Sequence, residues 1–177
     1  MSPEPVEGRT RLYDSFVAGL LATMADFTLL YAPNINSYKR FAPGSFAPTT
    51  IAWGLDNRTC AVRLVGKGPS ARLENRVPGG DVNPYLALAA MLAGGLHGIE
   101  HELELGPELT GNAYTSGRAK VPDTLAAARE AFATSAVARQ ALGDDVVDHY
   151  VNMADVELAA YNATVTDWEL RRGFERL

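Results

Sequence analysis

Between Thr50 and Val77 the hydrophobic period of the chain changes, and that change limits the folds open to it. Before and after this stretch, apolar residues recur at spacings of three and four; within it they fall into short runs at 51–55, 61–65 and 71–77. Asp56-Asn57 and Gly66-Lys67-Gly68-Pro69 separate the runs. Short apolar runs bounded by turn residues read as strands joined by tight turns, so the expectation is an antiparallel meander. Helices must back it. Phe16, Leu20, Met24 and Phe27 predict a helix over about 8–27. Asn83 can cap a helix that begins at Pro84 and runs to about Leu103, with Gly94-Gly95 marking either weakness or close packing. Asp123 opens a further helix, a short one follows, and Val147, Tyr150, Ala154, Leu158, Tyr161, Val165 and Trp168 form one stripe of a long C-terminal helix. The expected class is α+β, behind a disordered lead over residues 1–7.

Pro33, Pro43, Gly44 and Pro48 break the segment from Tyr31 to Thr50 into an irregular loop, whose Asn34, Asn36, Ser37, Lys39 and Arg40 suit contact with a ligand. The chain is acidic overall, with a formal charge of -5. That excludes a general nucleic-acid binder, which needs clustered positive charge. The stretch from Lys39 to Arg76 nevertheless carries +5, from seven basic residues against Asp56 and Glu74. No secretory signal and no membrane-spanning run is read, and cytoplasmic location is the default expectation. The single cysteine, Cys60, cannot form an internal disulfide and reads as a small buried hydrophobe.

Arg72-Leu73-Glu74-Asn75-Arg76 is the most informative stretch. On a strand, Arg72, Glu74 and Arg76 share one face in the order plus, minus, plus. Guanidiniums grip carboxylate or phosphate by forked hydrogen bonds, and a carboxylate can ligate a hard divalent cation; the same pattern also describes a solvated strand face. Arg58 and Arg63 add two cations on the neighbouring strand, and their convergence requires a bulge at Thr59-Cys60, because a spacing of five points to opposite faces.

Asn36-Ser37-Tyr38-Lys39-Arg40-Phe41, Pro43-Gly44, Asn57-Arg58, Arg63, Arg72-x-Glu74-x-Arg76-x-Pro78 and Asn83-Pro84-Tyr85-Leu86 together resemble, in order and spacing, the C-terminal half of the glutamine synthetase catalytic domain. Val165 to Glu169 and Gly173 to Arg176 resemble the γ-glutamyl-amine synthetase branch. The resemblance implies an ATP- and Mg2+- (or Mn2+-) dependent ligase that phosphorylates the side-chain carboxylate of glutamate and lets an amine displace the phosphate. It implies homo-oligomers too. By position, Arg40 and Arg76 resemble glutamate-binding arginines, Arg58 the catalytic arginine at the transferred phosphate and the glutamate carboxylate, Arg63 and Arg72 those along the ATP phosphates, and Glu74 a metal ligand.

In glutamine synthetases proper a glutamate between Pro-Gly and Ala-Pro helps bind and deprotonate ammonium. Here the loop reads Pro43-Gly44-Ser45-Phe46-Ala47-Pro48. Phe46 cannot hold a small hydrated cation but can line a pocket for the carbon chain of an organic amine. Gly79-Gly80-Asp81, in place of the usual Asp-Pro, points the same way. A drifted glutamine synthetase and a noncatalytic anion-binding or assembly module stand as alternatives. The remaining metal ligands of the family lie upstream of the part matched, so the isolated chain is expected to be inactive. His97-Gly98-Ile99-Glu100-His101 fits an inverted zinc-protease pattern but reads as the end of a helix. His149 reads as a surface or packing residue, Tyr114 as an ordinary loop tyrosine, and Gly66-Lys67-Gly68 as a turn rather than a P-loop.

Overall fold

A computed structural model describes residues 9–174 and 176. The expected lead over 1–7 lies outside the described residues. Helix α1 (Arg11–Ala22) starts where the Thr10 hydroxyl accepts the Tyr13 amide at 3.2 Å. It stops short of the expected 27: a turn follows, and α2 (Thr28–Tyr31) restarts the helix. The Thr23 and Thr28 hydroxyls donate back to the carbonyls of Gly19 (2.8 Å) and Met24 (2.7 Å), competing with regular helical bonding at that bend. Leu20, Met24 and Phe27 stay buried, as the apolar spacing requires, while Phe16 is half-buried. A short helix, α3 (Ile35–Lys39), occupies part of the stretch expected to be irregular.

Strands β1 (Thr50–Leu55), β2 (Cys60–Val65) and β3 (Arg72–Asn75) form a sheet in that order. The α+β class stands, and β2 and β3 pair antiparallel around the Gly66 turn as the meander requires. β1 and β2 differ from it: they run parallel, with an irregularity between Thr50 and Trp53. The reason lies in the link. Asp56 adopts a left-handed φ of 48°, and Asn57 donates to the Leu109 (3.1 Å) and Gly111 (2.8 Å) carbonyls while its own oxygen accepts from Thr59. Asn57 is thus committed to a distant loop and does not close a hairpin. That loop also covers the outer edge of β1 through backbone bonds from Leu109 to Trp53 (2.9 Å) and Ile51 to Ala119 (2.8 Å).

Helix α4 (Pro84–Glu100) begins as expected, with Asn83 accepting the Tyr85 and Leu86 amides. Its glycines mark close packing: a Cβ on Gly19 of α1 would sit 2.2 Å from the Gly94 carbonyl oxygen. Helices α5 (Leu125–Thr134) and α6 (Ala136–Leu142) are capped by Thr124 and Ser135. α7 (Asp144–Asn162) packs along them, and Arg129 grips Asp155 by two bonds of 2.9 and 2.8 Å. The long C-terminal helix is broken. α8 (Asp167–Phe174) is separate, because the Thr166 amide donates to the Glu169 carboxylate at 2.7 Å and the Glu169 amide to the Thr166 hydroxyl, a reciprocal cap that starts a new helix. Only the first part of the apolar stripe is covered: Val147 and Ala154 are buried, whereas Tyr161, Val165 and Trp168 are exposed.

One core joins sheet and helices, with Phe27, Tyr31, Val62, Val77, Phe132 and Val147 each at 1 % exposure or less. Burying an aliphatic or phenylalanine side chain of this size contributes roughly 1.5–3 kcal/mol.

Candidate functional site

The antiparallel register of β2 and β3 sets Arg63 directly across from Glu74. One Glu74 oxygen accepts from Arg63 at 2.9 Å and the other from Arg76 at 2.8 Å, so the carboxylate sits between two guanidiniums. Arg63 also pairs with Asp56, its Nε reaching Oδ1 at 2.9 Å. Burial works to raise the Glu74 pKa, but the bonds and charges of Arg63 and Arg76 outweigh it and hold it below the ordinary carboxylate value. The Arg63 bonds depress Asp56 likewise.

Arg76 is the hub of the cluster. Its three nitrogens donate to Glu74, to the Arg58 carbonyl at 3.1 Å and to the Phe46 carbonyl at 3.0 Å. Arg58 lies in the link before β2, not on the strand, so the bulge expected at Thr59-Cys60 is not needed; its side chain is exposed. Arg72 lies at the far end of β3, exposed, and donates to the Ser70 carbonyl at 3.4 Å. The four arginines therefore do not converge equally: Arg63 and Arg76 meet at Glu74, Arg58 joins through its backbone, and Arg72 stands apart.

Arg40 follows α3, bonds the Val77 carbonyl and lies 5.0 Å from the Phe41 ring centroid. Burial lowers its pKa, Asp81 opposes that and Arg76 reinforces it, which places all three within one electrostatic neighbourhood. Asp81 accepts from the Ser37 hydroxyl at 2.6 Å and Asn34 at 3.1 Å. Burial alone would raise its pKa; those bonds bring it below normal.

Phe46 has a left-handed φ of 58° and is 61 % exposed. A non-glycine residue there costs on the order of 1–2 kcal/mol, so the loop must be held from outside. Arg76 holds the Phe46 carbonyl, and the Tyr114 hydroxyl holds the next one, Ala47, at 2.9 Å. Tyr114, read as an ordinary loop residue, is thus part of the site's support; so are Asp56, Asn57 and Asp81. A pairing across 67 positions leaves no local signal.

His101 Nδ1 lies 2.9 Å from the His97 carbonyl, and among the described residues no group of three metal-ligating side chains occurs. Cys60 is fully buried and its thiol is pushed up to about 11, mainly by burial, which leaves no thiolate for nucleophilic work. Glu74 offers a divalent cation one carboxylate, with both oxygens engaged by arginine. Such cations take about six oxygen ligands, so these residues supply at most part of a metal site. No helix among the described residues is long and apolar enough to cross a membrane.

The described residues thus form an α+β unit in which two strand arginines clasp one carboxylate beside an exposed phenylalanine in left-handed backbone. The chain belongs to the glutamine synthetase family: the description "Glutamine synthetase, catalytic domain" matches residues 2–173. It is 61 % identical over 170 residues to a γ-glutamylethanolamide synthetase of Streptomyces coelicolor, covering 96 % of this chain and 37 % of that protein. A γ-glutamylputrescine synthetase of Escherichia coli is 37 % identical, over 90 % of this chain and 34 % of its own length. A GmaS–ADP complex superposes with a TM-score of 0.87 at 32 % identity, covering 98 % of this chain and 42 % of that one. The chain thus spans little more than a third of these curated relatives.

Proposed function

We propose that this chain forms the C-terminal part of the active site of an ATP-dependent ligase that joins an organic amine to the γ-carboxylate of glutamate, in preference to ammonium. The observation that carries the reading is Phe46: its carbonyl hangs on the guanidinium that grips Glu74, so the residue beside the arginine–Glu74 cluster is an exposed phenylalanine and not a carboxylate. The similarity to γ-glutamylethanolamide and γ-glutamylputrescine synthetases supports it. In this reading Arg40 and Arg76 bind glutamate, Arg63 and Arg72 face the nucleotide phosphates, and Arg58 neutralises the phosphoryl group as it moves. The γ-phosphoryl of ATP passes to the glutamate carboxylate and ADP departs; the unprotonated amine nitrogen then bonds to the carbonyl carbon, the C–O bond to phosphate breaks, and the nitrogen gives up one proton to water. Glu74 would be one ligand of a divalent cation, which would supply charge neutralisation at the phosphates. Among the described residues one carboxylate does not build that centre, so in this reading the isolated chain is inactive and acts within a larger catalytic domain.

The test joins this chain to the upstream portion of the S. coelicolor relative and compares Phe46 with Phe46→Glu. The reading expects Phe46→Glu to shift preference towards ammonium by at least about tenfold. An unchanged preference removes Phe46 from the account.

A further inference from the structure

We propose that Tyr114 is a positioning residue that sets amine selectivity by holding the Phe46 loop, an inference that rests on the function proposed above. The loop from Pro43 to Pro48 carries two residues in left-handed backbone, Gly44 and Phe46. Near its start the Ser45 hydroxyl bonds the Ala42 carbonyl at 2.6 Å. At its end two consecutive carbonyls are gripped by donors from separate parts of the chain: Phe46 by Arg76, and Ala47 by the Tyr114 hydroxyl.

The Tyr114 grip has a rigid base. Its neighbour Ala113 is buried, its amide donating to the Thr59 hydroxyl at 2.9 Å and its carbonyl accepting from the Thr50 hydroxyl at 2.9 Å. The Asn112 side chain caps the Tyr114 amide at 3.0 Å. The sheet thus fixes the tyrosine backbone, the tyrosine fixes Ala47, and Ala47 limits the freedom of Phe46 beside it. Arg76 bonds Glu74 and the Arg58 and Phe46 carbonyls and belongs to the proposed glutamate site. The Tyr114 hydroxyl bonds the Ala47 carbonyl instead, so it supports the Phe46 loop without entering the chemistry.

Tyr114→Phe removes one oxygen and leaves the ring packing intact. In the isolated chain, amide hydrogen exchange over residues 44–47 should rise about 3- to 10-fold while β2 and β3 stay unchanged, the scale of one lost hydrogen bond. Exchange that does not move overturns the loop-holding role. In the joined enzyme, Tyr114→Phe should raise KM for the organic amine by about 3- to 10-fold, with KM for ATP and glutamate and the rate with ammonium unchanged. Equal changes in all three KM values would mean a general structural role and overturn the inference. If the unsubstituted joined enzyme forms no γ-glutamyl amide, the proposed function fails and the selectivity role with it, whereas exchange alone decides whether Tyr114 holds the loop.

Discussion

Gly98→Ala should unfold this chain more easily than any other single methyl addition along α4, and the size of the effect can be worked from the helix contact. A Cβ at Gly98 would lie 2.1 Å from the Ser15 carbonyl oxygen and 2.6 Å from both the nitrogen and Cα of Gly19. The closest approach is about 1.3 Å inside the 3.4 Å at which ordinary contact begins, and all three atoms are backbone. Neither helix can yield by turning a side chain. Overpacking of this kind costs about 1–3 kcal/mol, here at the upper end, and the better helix propensity of alanine returns about 1 kcal/mol. The net is about 2 kcal/mol, or roughly 4–8 °C in Tm for a chain of this length. Gly95→Ala is the control. Its methyl would meet the Phe16 ring at 2.0 Å, closer still, but that side chain is only half-buried and can swing away, so its net effect should be within about 1 kcal/mol. Urea and thermal unfolding followed by far-ultraviolet circular dichroism give both numbers. If Gly98→Ala matches the unsubstituted chain, or Gly95→Ala is the worse of the two, the α1–α4 contact is not as tight as described.

Other outcomes follow from the site. Glu74→Ala leaves Arg63 and Arg76 facing each other without their shared carboxylate, so the variant should lose thermal stability and regain it on adding sulfate; a variant indifferent to sulfate would mean the two guanidiniums do not share a site. Asp81 and Glu74 both have folded pKa values below the unfolded ones. Their stabilisation is therefore full above about pH 5, clear of both unfolded values, and is lost as pH falls through the folded values. Ser37→Ala removes one of the Asp81 bonds and should flatten the fall of Tm as pH drops below about 4; an unchanged slope would count against that linkage. Cys60 should resist thiol reagents at pH 8 until the chain unfolds, because its thiol is buried and protonated there, and rapid labelling of the folded chain would contradict its placement.

Local pattern carried the reading where function rests on neighbouring residues. The alternation Arg72-Glu74-Arg76 announced a shared face, and Glu74 and Arg76 do meet on it. Asn83-Pro84 announced a helix start, and the paired glycines a close contact. What the pattern missed depends on partners far along the chain. Asp56-Asn57 has the composition of a hairpin turn, yet Asn57 is held by Leu109 and Gly111, so β1 and β2 run parallel. The stripe from Val147 to Trp168 keeps its period through a break that only the Thr166–Glu169 cap explains, a four-residue signal lying inside a longer one. The Tyr114 grip on Ala47 joins two loops by a single side chain, and neither loop carries a sign of the other.

The central claim is that the arginine–Glu74 cluster serves a ligase whose acceptor is an organic amine. Competition tests it most directly: the joined enzyme, given glutamate, ATP and equal concentrations of ethanolamine and ammonium, with both products counted by mass. The account predicts that γ-glutamylethanolamide forms in excess over glutamine. Glutamine as the main product would contradict it.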